Sequence, residues 1–189
     1  MKIRITLLIA ITFALTATAQ TRKWFIEPSV RLAVDAEAYF IGPALGLGVG
    51  YYLTDRLSVS SSYQYFNRKV THHDGYYDEL NLQSMDAVLN YFPARLAEDR
   101  KGFFFGGGLA VQWRDEICFS IEHFSDSPDG IEREQRTYFT GTFNLGYEFP
   151  VTIASKTRFF AADLKAIGPY TVDYTEIFTQ VMLGVRLRY

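Results

Sequence analysis

The sequence predicts an all-β fold: an eight-stranded antiparallel up-and-down barrel of the transmembrane type. Three observations predict it. First, the stretch from Thr179 to Tyr189 alternates strictly. Val181, Leu183, Val185 and Leu187 share one face, and Gln180, Met182, Gly184, Arg186 and Arg188 share the other. Alternate side chains of a strand point to opposite faces, so one face is greasy and the other carries two arginines. Second, seven further segments show the same period of two, and no helical period of any length occurs. Third, the charges on the non-greasy faces balance, so they can pair in a closed interior.

The first strand has Trp24, Ile26, Pro28, Val30, Leu32 and Val34 alternating with Phe25, Glu27, Ser29, Arg31 and Ala33. In the second, Ile41 to Leu53 by twos are bulky, with Gly42, Ala44, Gly46, Gly48 and Gly50 between them. Thr54-Asp55-Arg56 is a tight turn. In the third, Leu57, Val59, Ser61, Tyr63 and Tyr65 face one way, and Ser58, Ser60, Ser62 and Gln64 the other. The fourth runs from about Leu82 to Phe92, with a less regular start that suits a bulge. Phe103 to Trp113 by odd numbers define the fifth strand, and Phe139 to Phe149 the sixth. Phe160, Ala162, Leu164 and Ala166 define the seventh, against Phe159, Asp163 and Lys165. The Thr179–Tyr189 stretch is the eighth.

Connections alternate between two kinds. Thr54–Arg56, Ala94–Gly102 and Thr152–Lys156 are the shorter set. Asp35–Tyr39, Arg68–Asn81, Asp115–Arg136 and Gly168–Thr175 are mostly longer and more polar. Membrane barrels have short periplasmic turns and longer outer loops, which makes both termini periplasmic.

The N-terminus supplies an address. Lys2 and Arg4 precede an apolar run from Leu7 to Leu15, and Ala17-Thr18-Ala19 is a small-residue cleavage site. This reads as a signal peptide over 1–19, too short to span a bilayer as a helix, followed by one barrel domain over 20–189. The chain carries 19 bases and 21 acids, a net charge of −2, and the leader holds two of the bases. Such a balance excludes a nucleic-acid footprint. The single Cys118 excludes an internal disulfide. Aromatics make up 16% of the chain, a surplus that interfacial girdles would use.

Ten charges fall on the non-greasy faces: Glu27, Arg31, Asp86, Arg114, Glu148, Asp163, Lys165, Glu176, Arg186 and Arg188. Five are acids and five are bases. An eight-stranded barrel has an interior just wide enough for side chains to fill. Small residues such as Gly42, Ala44, Gly46 and Gly106 leave room there for the long ones. Arg186 and Arg188 are expected to pair with acids such as Glu27 on the neighbouring first strand. The alternative is a soluble barrel of lipocalin type, with grease lining an inner pocket. It requires Tyr63 and Leu183 to point inward.

Leu45-Gly46-Leu47-Gly48-Val49-Gly50-Tyr51-Tyr52-Leu53-Thr54-Asp55-Arg56-Leu57-Ser58-Val59 resembles the strand–turn–strand of small bacterial outer-membrane barrels of the OmpA/OmpX kind. Val185-Arg186-Leu187-Arg188-Tyr189 resembles their C-terminal signal for the barrel-assembly machinery, with Val185, Leu187 and Tyr189 as its apolar positions. The resemblance implies an outer-membrane location in a Gram-negative-type cell, in contact with lipid and lipopolysaccharide. It implies no single activity. The function expected is structural or surface-interacting, with a filled polar lumen. A lipid A-modifying hydrolase and a narrow channel are the alternatives.

The Asp115–Arg136 connection carries most of the remaining information. Ile117, Phe119 and Ile121 keep the register of the fifth strand, and Ile131 that of the sixth. A protruding hairpin results, resembling the projecting sheet of OmpX-like proteins, whose edge suits a surface ligand added as a strand. Within it, His123-Phe124-Ser125 and Glu132 resemble the His-x-Ser and later Glu of outer-membrane lipid A deacylases. That resemblance implies Ser125 as nucleophile, His123 as base and Glu132 as its orienter. The spacing here is shorter, and two strands follow the hairpin where the deacylases have none. His72-His73-Asp74 with Asp78 and Glu79 has metal-ligand chemistry, but adjacent histidines point apart on a strand. Asp126, Asp129, Glu132 and Glu134 suit a solvated loop or cations bridging lipopolysaccharide phosphates. Gly106-Gly107-Gly108 lacks the Lys-Ser/Thr and helix of a phosphate loop. No pattern calls for a metal centre or a cofactor.

Overall fold

The computed structural model describes residues 24–35, 40–71, 77–93, 102–119, 131–153, 156–169 and 180–188. Eight strands follow one another: β1 (Trp24–Asp35), β2 (Ile41–Tyr52), β3 (Leu57–Thr71), β4 (Tyr77–Tyr91), β5 (Gly102–Phe119), β6 (Ile131–Ile153), β7 (Lys156–Pro169) and β8 (Gln180–Arg188). Each pairs antiparallel with the next, and β8 returns to β1, so the sheet closes. Closure leaves the barrel wall without an edge, the one way a sheet can lie in lipid.

The alternation decides which side is out. Tyr63 is 41% exposed and Leu183 61%. Val30, Leu32, Leu45, Leu109 and Val185 also face outward. Charged side chains at Glu27, Arg31, Asp163, Lys165 and Arg186 are buried instead. A soluble barrel would show the reverse. Apolar outside and charged inside is the arrangement of a transmembrane barrel. Aromatic rings pair across strands at the end where the chain makes its short turns, with Trp24 against Tyr51 and Tyr91 against Phe105. The turn from Leu53 to Arg56 closes there through Leu53 N–H donating to the Leu57 carbonyl at 2.9 Å.

Two features depart from the sequence expectations. The β3–β4 register runs unbroken from Leu57–Tyr91 to Thr71–Tyr77, so β4 has no bulge. Its irregular start has a different cause: Leu80 and Leu82 are apolar but point inward, both almost fully buried. They join Phe66, Ile167, Met182 and Phe40 in a buried apolar layer across the lumen near the longer-loop end. A second layer of Phe25, Tyr52, Phe92, Phe104 and Ala161 crosses the other end. The interior is therefore polar only in part. The Lys165–Asp86 and Arg31–Asp163 pairs lie between the two layers, while Arg114 stands beside the first layer and Arg188 against the rings of the second.

β3 to β6 also run further than β1, β2, β7 and β8. The β5–β6 pairing continues to Phe119–Ile131, whereas β6 and β7 part at Thr140–Pro169. β3 and β4 pair out to Thr71–Tyr77. Four strands thus project together on one side of the barrel mouth.

Candidate functional site: an ion-paired lumen beneath a projecting sheet

The lumen is built from inward positions of every strand. Glu27 on β1 faces two cations of β8. Arg186 Nη1 donates to Glu27 at 3.1 Å, and Arg188 Nε donates at 2.9 Å. Arg188 also donates through Nη1 to Glu148 on β6 and, at 2.9 Å, to the Tyr52 hydroxyl on β2. Tyr52 in turn donates to Glu148 at 3.1 Å. From Arg186 the chain of charge continues to Asp163 at 3.7 Å, and Arg31 donates to the same carboxylate at 3.0 Å. One ion-pair chain thus runs Glu148–Arg188–Glu27–Arg186–Asp163–Arg31 and ties β6, β8, β1 and β7 together.

Two shorter groups complete the set. Lys165 on β7 pairs with Asp86 on β4, and Ser62 on β3 bonds both. Near the longer-loop end Arg114 on β5 donates to both oxygens of Asp35, at 3.1 and 2.9 Å, and to Glu116 at 2.9 Å. Buried lone charges are prohibitively costly, whereas paired and hydrogen-bonded ones are tolerated. The buried acids are Glu27, Asp35, Asp86, Glu148 and Asp163, and the buried bases are Arg31, Arg114, Lys165, Arg186 and Arg188. The two lists are equal in length, so the described interior is neutral.

Asp35 and Glu116, the partners of Arg114, were missed at the sequence level. The sequence pattern places Asp35 in the first connection, yet it continues the inward odd register of Phe25, Glu27 and Arg31 as the last residue of β1. The aromatic surroundings of the arginines carried no sequence signal beyond parity. Arg188 lies 4.3 Å from the Phe25 ring centroid, and Arg186 lies 4.6 Å from that of Phe104. A guanidinium is weakly hydrated and stacks on rings, which suits it to this dry end of the lumen.

Small residues make the room. A side-chain carbon at Gly184 would strike Arg31, and one at Gly50 would strike the Phe25 ring. Both glycines are needed for space, not for an unusual backbone.

Above the barrel, the projecting sheet carries mixed charge. Arg133 on β6 grips Asp115 on β5 through two bonds, at 2.9 and 2.6 Å. These bonds hold the Asp115 carboxyl below its ordinary range. Arg136 bonds Tyr138 and Glu134, which raise its already high pKa. Asn67 on β3 donates to Glu79 on β4 at 3.2 Å. From Ile131 to Phe139, β6 is paired to β5 alone among the described strands.

Several sequence candidates lie outside the described residues: Glu176, Tyr189, His72, His73, Asp74, His123, Ser125, Asp126 and Asp129. Glu132 belongs to β6, but its side chain is likewise outside them, as is that of Cys118. Val185 and Leu187 stand on the outward face of β8. Among the described residues, no three His, Cys, Asp or Glu side chains gather as a metal site would need.

Solved structures with the same architecture include three outer-membrane proteins. Neisserial surface protein A superposes with a TM-score of 0.61 at 11% identity, over 89% of this chain and 96% of that one. The chain has the fold of the small outer-membrane barrels. OprG of Pseudomonas aeruginosa gives 0.57 at 11% identity, over 88% and 96% of the two chains. The N-terminal barrel domain of Pseudomonas aeruginosa OprF gives 0.52 at 20%, over 88% and 97%. No protein-family model and no curated protein matches the sequence.

Proposed function

We propose that this barrel resides in the outer membrane and serves as a rigid mount that holds the β3–β6 sheet above the surface for contact with a partner. The observation that carries the reading is the outer part of β6. From Ile131 to Phe139 it has β5 on one side and no other described strand on its second side. Such an edge offers main-chain donors and acceptors to an extended segment, with alternate side chains setting specificity. The closed and paired barrel below supplies the rigidity.

Leader cleavage after residue 19, periplasmic termini, and engagement of the assembly machinery by Val185, Leu187 and Tyr189 belong to the same reading. The outward apolar band and the short turns at one end support it. The two apolar layers across the lumen favour a filled barrel over a narrow channel.

Replacing residues 116–134 by a short turn tests the proposal. Cells displaying the intact barrel should enrich binders from a library of extended peptides above empty-vector cells. Cells displaying the shortened barrel at equal density should bind at background. Equal binding by both forms, or none by the intact form, overturns it.

A further inference from the structure

The outward face of β3 to β6 is not evenly covered. Phe139 is 76% exposed and Leu109 66%, the two highest values among the described large apolar side chains. Between them and Met85, Val111 and Trp113 lies a groove of about 670 Å³, floored by Ser61 and Ala87. Its size falls in the range of about 300–1,000 Å³ usual for small-molecule sites. Ser61 and Ala87 are cross-strand partners, and Leu109 follows beside Ala87. A row of short side chains therefore runs into a row of tall ones.

The groove ends where the surface changes chemistry. Tyr65, Gln83, Trp113 and Thr137 form one outward row across the four strands. The Tyr63 hydroxyl donates to Gln83 at 2.7 Å beside it. The next row outward is Asn67, Asn81, Asp115 and Gln135. The Tyr65 and Trp113 rings, followed by a row of three amides and one carboxylate, mark the level of lipid headgroups. The groove below that level is apolar and turned away from the lumen.

The geometry points to a resident lipid: one acyl chain of a membrane lipid lies in the Ser61–Ala87 groove, walled by Phe139 and Leu109, with its headgroup at the polar row of Asn67, Asn81, Asp115 and Gln135. This rests on the membrane placement proposed above. A soluble ligand would have no route to the site, and a partner barrel would meet Phe139 and Leu109 as projections before it met the floor.

Native mass spectrometry of the protein released from phosphatidylethanolamine nanodiscs tests the site. The native chain should retain one lipid. Ala87→Phe, which fills the floor, and Phe139→Ala, which removes a wall, should each lower the lipid-bound fraction about tenfold, the weight of one aromatic contact surface. Leu183→Ala, on β8, should retain lipid as the native chain does. Heat-modifiable migration shows that each variant is folded. A native chain that enters nanodiscs but emerges bare, or variants that keep the lipid, overturn the groove and leave the placement standing. A folded chain that does not enter nanodiscs overturns the placement itself.

Discussion

Arg188, near the end of the last strand, stacks its guanidinium 4.3 Å from the centre of the Phe25 ring on the first strand. The same side chain donates to Glu27, two residues along from Phe25. The seam that closes the barrel is thus held by one guanidinium group, its plane on a ring and its edge on a carboxylate. Glu27 also serves Arg186. Glu27→Gln therefore leaves two buried cations short of charge at once. Removing one partner of a buried pair costs about 3–5 kcal/mol, and this site belongs at the upper end. Urea titration of the barrel in lipid bilayers should show the midpoint falling further for Glu27→Gln than for Asp35→Asn, because Arg114 keeps Glu116 to itself, whereas Arg186 and Arg31 would be left to share Asp163.

The close approach of Arg31 to Gly184 gives a second expectation. A methyl group at Gly184 meets Arg31 carbons and the Val30 carbonyl. Backbone cannot give way cheaply there, so Gly184→Ala should displace Arg31 from Asp163 and destabilise by about 1–3 kcal/mol. Gly107 is the control. A methyl group there has only the Thr142 carbonyl nearby, at 3.7 Å. Gly107→Ala should leave the unfolding midpoint within error. Equal loss in both variants would mean that glycine flexibility, and not space, is what the strands need.

Parity made most of this barrel legible in the sequence. A strand alternates by construction, so the inward positions of Glu27, Asp163 and Arg186 follow from the outward positions of Val30, Leu164 and Val185. Parity fails where inward and outward chemistry coincide. Leu80 and Leu82 are apolar and buried inside, and in the sequence they cannot be told from lipid-facing leucines. A bulge is the simplest reading of them in the sequence, and the unbroken β3–β4 ladder removes it. Pairing is less legible than facing. That Arg114 would find Asp35 depends on which strands lie across the lumen at that height, which only the closed register sets.

The two apolar layers bear on conduction. Ions crossing the lumen would have to pass Phe66, Leu82 and Ile167 and then Phe25, Phe92 and Phe104. Packed layers of this kind obstruct ions in a lumen only wide enough for side chains to fill. The native barrel should show no conductance steps in planar bilayers at high salt. Leu82→Ser alone should also stay silent, since the second layer remains. Leu82→Ser with Phe104→Ser should produce steps. Steps from the native chain would show that the layers open.

The projecting hairpin offers a pH-dependent expectation, because its Asp115–Arg133 clasp is outside the membrane-facing band. The bonds from Arg133 lower the Asp115 pKa from an ordinary 3.8. A lowered carboxyl pKa in the folded state means that the unfolded hairpin binds the proton first as pH falls. The clasp therefore stabilises the hairpin fully above the ordinary value and progressively less as pH drops through the folded one. Both side chains are substantially exposed, so the effect is small and salt-sensitive. Amide exchange at residues 115–117 and 133–135, corrected for intrinsic rates, should show protection that declines as pH falls below about 4. Asp115→Asn should remove that pH dependence while leaving the barrel strands protected. If the native hairpin keeps its protection unchanged across this range, the clasp contributes nothing to holding the edge of β6 in place.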